Sequence, residues 1–503
     1  MINNIKKQFK DFIEYLTKSK KSILIILIVL VVTYWGRLIS NSFSIDTELY
    51  IQDYTSSIGW WLNLERWGLV ILNKIFKVGP LIIPLNTIIT VICIFLYSIL
   101  FNYLFYINIE KKYNKNFIKY QYLFPLIFIT NPIFAEQYNF LNQSLAVSLA
   151  ICLIVISLIL SNTNNKWWCY VLNVLINAVA FGTYQAIIPL YIVTVVACYF
   201  LRCTTYKKNE WNYLIKQILI FLISAIIYIL ISKMLSDGNS YLQSGWETSG
   251  LKCFQYIYYV IIDMIKCNTI FYNVGYLIAL ALIILMNLYF LIKKKNNLGT
   301  LIASIGLILA PFYIMIITGV DQLKRTQFNY SFTIGFIFLA IILLINKKEM
   351  FKKVLLITGI TISFNQAYVS SSLFYSDHVR FENDVVYANK LQSLIEEKSW
   401  YDENKEYTLI FLGQKKNKGV NSYIEGEILG KSFFSFDYQY HYGVSQRANA
   451  LLATQGYYYK KPTAEEYEKA KEYALKNDLE YMPSKKCIYN INNTIIIRLS
   501  KEI

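Results

Sequence analysis

The sequence predicts a mainly α-helical, polytopic membrane protein: a bundle of about eleven transmembrane helices followed by a small extracytoplasmic α/β domain. Three observations carry that reading. Of 503 residues, 55% are hydrophobic and only 16% charged, with a mean hydropathy of +0.38. Apolar runs recur at the length needed to cross about 30 Å of hydrocarbon. The excess of 49 Lys+Arg over 32 Asp+Glu, a net charge of +17, sits in short clusters between those runs. A basic excess spread over one polar face would suit nucleic acid, whereas clusters between apolar runs thread a chain through a bilayer. Nucleic acid is therefore set aside as a partner, and the lipid bilayer takes its place.

Residues 1–21 form a basic N-terminal segment with Lys6, Lys7, Lys10, Lys18, Lys20 and Lys21, followed by the apolar run 22–39. No small-residue cleavage site follows, so this run reads as an uncleaved signal anchor with its basic side in the cytoplasm. Further spans are expected at 80–107, 118–130, 144–160, 167–181, 186–201, 217–235, 271–292, 298–318, 328–345 and 354–369. The inner loops then carry Lys111, Lys112, Lys115, Lys166, Arg202, Lys207, Lys208, Lys293, Lys294, Lys295, Lys347, Lys348, Lys352 and Lys353, while the outer connections 131–142 and 182–185 carry no Lys or Arg. An odd number of spans beginning inside ends outside. The expected organisation is thus a cytoplasmic segment 1–21, a transmembrane domain 22–369 with its first outer loop at 41–79, and an extracytoplasmic domain at 370–503.

Within that last domain, 377–398 has a helical period and 407–413 (YTLIFLG) a strand pattern. Thr463 and Glu466, after Pro462, form a capping box opening a helix to about Lys476. Residues 487–499 read as a hairpin turning at Asn492-Asn493. Tyr438, Tyr440, Tyr442 and Tyr457 to Tyr459 suit either sugar stacking or packing on the membrane domain. No transporter-type internal repeat is visible. Two histidines, His378 and His441, are too few for a His-rich metal centre. Cys93, Cys152, Cys169 and Cys198 fall in apolar runs as packing residues, and pairing among Cys253, Cys267 and Cys487 is left open.

The chemistry is expected first in the loop NSFSIDTELYIQDYTSSIGWWLNLERWGLVILNKIF, residues 41–76, which holds Asp46, Glu48, Asp53 and Glu65 in a chain otherwise sparse in carboxylates. On a helix Asp46 and Asp53, seven apart, share a face, whereas in an extended segment Asp46 and Glu48 do. Either geometry presents two carboxylates to one pocket. From Trp60 the apolar positions repeat with a helical period, with Arg66, Lys74 and Lys77 on other faces, as in an interfacial helix with its tryptophans at headgroup level. Glu65 and Arg66 are neighbours whose side chains diverge by about 100° on a helix, so each serves a different group. A second candidate is 319–327, where Asp321, Lys324 and Arg325 join two apolar spans. Charges at a span end belong in an aqueous or protein-lined pocket, and Lys with Arg suits a phosphate. Glu136, Tyr184 and Gln185 add polar groups at other span ends.

These segments, IDTELYIQDY with a tryptophan pair and ERWG, then NPIFAEQYNF, GTYQA and KRTQFNYSF, together resemble the bacterial membrane glucosyltransferases that decorate O-antigen and related surface glycans, within the C-type, polyprenyl-phosphate-dependent glycosyltransferase superfamily. The resemblance runs from about Tyr34 to Tyr375, and the family pattern favours Gly where this chain has Glu65. It implies transfer of a hexose, glucose in the family named, from a polyprenyl-phosphate donor to a hydroxyl of a surface glycan at the outer face of the plasma membrane. It also implies an acidic base in the first outer loop, here Asp46 and then Glu48. Lys324 and Arg325, with Arg66, would then hold the donor phosphate, and Asp53, Glu65, Glu136, Tyr184, Gln185 and Asp321 would support the site. The Asp46 and Glu48 oxygens also have the chemistry to hold magnesium or manganese, a cofactor that a cationic clamp makes dispensable. The rival reading is a multi-pass transporter or flippase for lipid-linked glycans. It fits less well because the distinctive charges lie at span ends and not at mid-membrane depth.

Overall fold

A computed structural model describes residues 2–76, 81–164, 166–236, 250–293, 297–345, 348–417 and 423–503. Lys77, Pro80, Lys294, Lys295 and Lys347, together with the side chains of Lys6 and Lys7, lie outside the described residues. The chain divides into two compact units: Met1–Leu38, Ile58–Tyr138 and Gln143–Ser371 form one, and Ile39–Ser57, Asn139–Asn142 and Ser372–Ile503 the other.

The first unit is helical. Among the described residues, eight helices are long and apolar enough to cross a membrane: Lys20–Ile39, Ile83–Ile107, Leu141–Thr163, Ile187–Tyr206, Trp211–Leu235, Gly275–Ile292, Leu298–Thr318 and Glu349–Glu396. Trp167–Phe181 and Phe328–Leu344 are apolar but shorter. The expected span at 118–130 is broken into Asn114–Tyr120 and Leu123–Thr130. Buried Gln121 sits at the break, accepting from the Tyr15 hydroxyl and donating through Nε2 to Ser19 Oγ at 2.8 Å. Gln121 and Tyr122 keep right-handed helical backbone angles, so the junction is a lapse in the helical bonding, with the buried amide satisfied by its two partners.

Phe328–Leu344 is short because it is a core helix and need not face lipid, being buried on every side from Phe328 to Leu343. Gly335 lets it approach Leu123–Thr130 closely: a β-carbon there would stand 2.8 Å from the carbonyl oxygen of Phe124. Edge-to-face contacts such as Phe124–Phe332, at 5.1 Å between ring centres, fill the rest. Two amphipathic helices accompany the bundle. Ile2–Lys18 occupies the basic N-terminal segment and packs Tyr15 with Ile99 and Tyr103. Lys252–Lys266 leaves Phe254 and Tyr258 exposed and carries Asp263. Helix Glu349–Glu396 continues without a break past the expected domain boundary at 369/370.

The second unit contains a three-stranded sheet of order β1-β3-β2, with β1 Thr408–Leu412, β2 Ile488–Ile491 and β3 Thr494–Arg498. β1 runs parallel to β3, pairing Leu409 with Ile495, and β2 runs antiparallel to it. The hairpin turns at Asn492 and Asn493, with φ of 48° and 64°, the left-handed pair a two-residue turn requires. Thr463 caps Ala464–Lys476 in the expected capping box, and that helix packs Ala470 and Ala474 against Ile410, Leu412 and Ile496.

A buried ion network ties the three separate segments of this unit together. Arg380 donates to the Phe43 carbonyl at 2.8 Å and pairs with Asp377 at 2.5 Å, while Asp377 accepts from Asn139 at 2.9 Å. Asp384 accepts from Ser432 Oγ at 2.7 Å and from the Phe433 amide at 3.0 Å. Of the tail tyrosines, Tyr459 hydrogen-bonds Gln392 at 2.6 Å and Tyr442 lies beside Tyr467, whereas Tyr440 and Tyr458 are exposed. All eight cysteines are unpaired, so the pairing left open for Cys253, Cys267 and Cys487 does not occur.

Candidate functional site

Of the first-loop carboxylates, Glu65 lies in the first unit and Asp46, Glu48 and Asp53 in the second. The helix there is short, Thr47–Gln52, and Asp46 stands just outside it as N-cap with φ of 73°. A non-glycine residue in that left-handed region costs about 1–2 kcal/mol, so surrounding contacts must hold it. The holding group is Arg447, whose Nη1 lies 2.8 Å from both Asp46 Oδ1 and Glu48 Oε1, and whose Nε reaches Asp437 Oδ2 at 2.8 Å. Asp46 and Glu48 therefore converge, which is the pairing expected of an extended segment, although the segment that follows Asp46 is helical.

Asp46 keeps 46% of its side chain exposed, while Glu48 has none exposed. Burial pushes the Glu48 carboxyl up to about 7 from its usual 4.5; the Arg447 charge opposes the rise and that of Asp46 adds to it. Glu48 Oε2 is buried without a hydrogen-bond partner, which favours the protonated form in the same direction. Asp53 is elsewhere: its carboxylate accepts from the Ser56 amide at 3.1 Å and from Thr55 Oγ1 at 2.8 Å, capping Tyr54–Asn63. Those bonds, Ser56 first, hold its carboxyl well below the usual range. The shared face expected for Asp46 and Asp53 is thus absent, because the helix begins at Thr47 and ends at Gln52. A guanidinium bridges the two carboxylates proposed as metal ligands. Among the described residues no group of three or more His, Cys, Asp or Glu is arranged for a metal ion, so no step is derived through one.

The cationic candidates lie in the helical unit. The helix expected from Trp60 is divided into Tyr54–Asn63 and Trp67–Ile75, with Glu65 between them at φ of 61°. That left-handed backbone is one glycine adopts most readily; here it is Glu65, which accepts from the Tyr228 hydroxyl at 3.3 Å. Arg66, just before the second helix, has partners of its own. Its Nη1 donates to Gln143 at 3.2 Å and its Nε to Gln185 at 3.4 Å, and the guanidinium stacks 4.9 Å above the Tyr184 ring.

Two sequence segments are locked together to make this arrangement. The Gly68 amide donates to the Gly182 carbonyl at 2.7 Å, and Gln185 Nε2 donates to the Leu64 carbonyl at 2.6 Å. A β-carbon on Gly68 would stand 2.2 Å from the Val179 carbonyl oxygen, so only glycine fits. Beside them a cavity of about 50 Å³ is lined by Arg66, Tyr184, Gln185, Gln322, Arg325 and Thr326, among others. Two guanidiniums lining one small cavity have the chemistry to hold an anion.

Lys324 does not line the cavity; it lies 3.8 Å from Asp263 and 5.1 Å over the Tyr272 ring. Asp321 is exposed and also outside the lining. Glu136 is fully buried in Pro132–Tyr138, a helix that packs on the Lys324–Thr326 turn. Sequence reasoning missed Arg447, Asp437, Gln143, Gln322 and Asp263. One signal was available for Arg447: only seven of the 49 basic residues are arginine. In so lysine-rich a chain, guanidinium persists where planar, multiply donating geometry is needed.

The helical unit, with its many apolar helices long enough to cross a bilayer, is that of a multi-pass membrane protein. The family model described as Glucosyl transferase GtrII matches residues 35–345, well over half of the chain, and the chain belongs to that family. No curated protein matches it, and no solved structure does.

Proposed function

We propose that this protein transfers glucose from a polyprenyl-phosphate donor to a hydroxyl of a surface glycan at the outer face of the plasma membrane, with inversion in a single displacement. The reading is carried by the convergence of Asp46 and Glu48 within the matched region of a glucosyl transferase family. An alcohol is a weak nucleophile at neutral pH, so a base must take its proton as the glycosidic bond forms. Asp46 suits that role, since it is the more exposed of the pair and its backbone is held in a strained, fixed conformation. Glu48, fully buried, holds the cluster. Phosphate leaves readily once its developing charge is stabilised, which is the role assigned to Arg66 and Arg325. Lys324 contributes positive charge from outside the cavity. The charge clusters support a cytoplasmic N-terminus and an outer C-terminal domain.

Asp46→Asn should lower transfer from a defined polyprenyl-phosphate glucose by about 10²–10⁴-fold, the range for loss of a general base. Unchanged rates in both Asp46→Asn and Glu48→Gln would defeat the assignment.

A further inference from the structure

We infer that Arg447 is a positioning residue for glucosyl transfer, so that the C-terminal segment, outside the matched family region, completes the acidic site. The inference rests on the base assignment above and extends it to residues no family comparison covers, since the match ends at 345.

Arg447 projects from helix Gly443–Thr454, which is fixed to β1 by two residues on its other side. Ser445 Oγ accepts from the Phe411 amide at 2.9 Å and donates to the Phe411 carbonyl at 3.1 Å, and Asn449 donates to the Leu409 carbonyl at 2.8 Å. Residues 445 and 449 are one helical turn apart, and 447 lies about 200° around the helix from 445, toward Thr47–Gln52. The sheet thus sets the position of the guanidinium as β1 and the helix fold.

The geometry then specifies a job for it. One nitrogen serves two carboxylates two residues apart, Asp46 before the short helix and Glu48 in its first turn, while Nε on another edge is fixed by Asp437. The side chain is 11% exposed, and its guanidinium lies 5.6 Å from the Phe436 ring. A flexible lysine cannot serve three acceptors in one plane, so the residue type matters as well as the charge. The Asp46 carbonyl accepts from the Tyr50 amide at 3.2 Å, but its backbone sits at φ of 73° and its side chain makes no capping bond. Arg447 is the restraint that aims its carboxylate, leaving the exposed part of Asp46 for an acceptor hydroxyl. Three carboxylates around one guanidinium leave a negative surplus, which suits proton acceptance more than anion binding.

The test uses the full chain in lipid nanodiscs with polyprenyl-phosphate glucose as donor and envelope membranes as acceptor. Arg447→Ala should lower kcat by about 10²-fold, the scale of an ångström misplacement of a reacting group, with KM for the donor unchanged. Arg447→Lys should recover no more than a small part of that loss. Thr463→Ala removes a helix cap elsewhere in the same unit and serves as the stability control. It should lower Tm and leave kcat near wild type. Wild-type kcat in Arg447→Lys, or a kcat loss in Thr463→Ala matching that of Arg447→Ala, would overturn the inference. Should Arg447→Ala fail to fold, Arg447→Lys alone decides. An inactive Asp46→Asn beside a fully active Arg447→Lys sinks only this inference, whereas an active Asp46→Asn sinks the base reading beneath it.

Discussion

Replacing Glu48 with glutamine removes a titrating group and keeps its shape, so the variant isolates what the buried carboxyl does to stability as pH changes. Burial raises that carboxyl to about 7 from 4.5. Below the lower value it is protonated folded or unfolded and contributes no difference. As pH rises, the unfolded chain ionises first, so stability present below 4.5 is lost progressively up to about 7. A rise of that size corresponds to a loss on the order of 3 kcal/mol, since a tenfold change in proton affinity is worth about 1.4 kcal/mol. Thermal unfolding of the nanodisc-embedded protein, followed by intrinsic tryptophan fluorescence from pH 4.5 to 7.5, reads this directly. Wild-type Tm should fall relative to Glu48→Gln across the window, by several degrees in all. Parallel curves for the two proteins would show that Glu48 titrates in the folded state as it does unfolded, and the role given to its burial would be refuted.

Two further predictions concern the anion site. Arg66→Lys keeps the charge but cannot reproduce the bonds to Gln143 and Gln185 together with the Tyr184 stack, so donor affinity should fall by roughly 10–100-fold, the worth of one or two charge-assisted bonds. Binding of polyprenyl phosphate to the variant measures it, and wild-type affinity would argue against the site. Gly68→Ala places a β-carbon 2.2 Å from the Val179 carbonyl oxygen, and should destabilise the helical unit by about 1–3 kcal/mol or more through overpacking. An unchanged Tm in the alanine variant would contradict the close approach.

Much of this was legible in the sequence, for identifiable reasons. The capping box at Thr463 and the Asn492-Asn493 turn are local, and local chemistry decides them. The apolar runs became helices, but hydropathy cannot separate a crossing helix from a buried one. Phe328–Leu344 is apolar all round because it is core, and Gln121, where another run lapses, is satisfied by Tyr15 and Ser19 more than a hundred residues away. The acidic loop was visible, whereas its partner was not: Arg447 meets Glu48 across 399 residues. Lys324 looked equivalent to Arg325 in sequence, but Lys324 faces Asp263, on an amphipathic helix with no motif, and the Tyr272 ring.

The central claim is that glucose comes from a lipid-phosphate donor and that this chain catalyses its transfer. Purified protein in nanodiscs, supplied with envelope glycan and with radiolabelled glucose on either polyprenyl phosphate or uridine diphosphate, tests it most directly. The account predicts label in the glycan from the polyprenyl-phosphate donor alone, and none with the Asp46→Asn protein. Label arriving from the nucleotide sugar alone, or from neither while lipid-linked glycan crosses the bilayer, would contradict it.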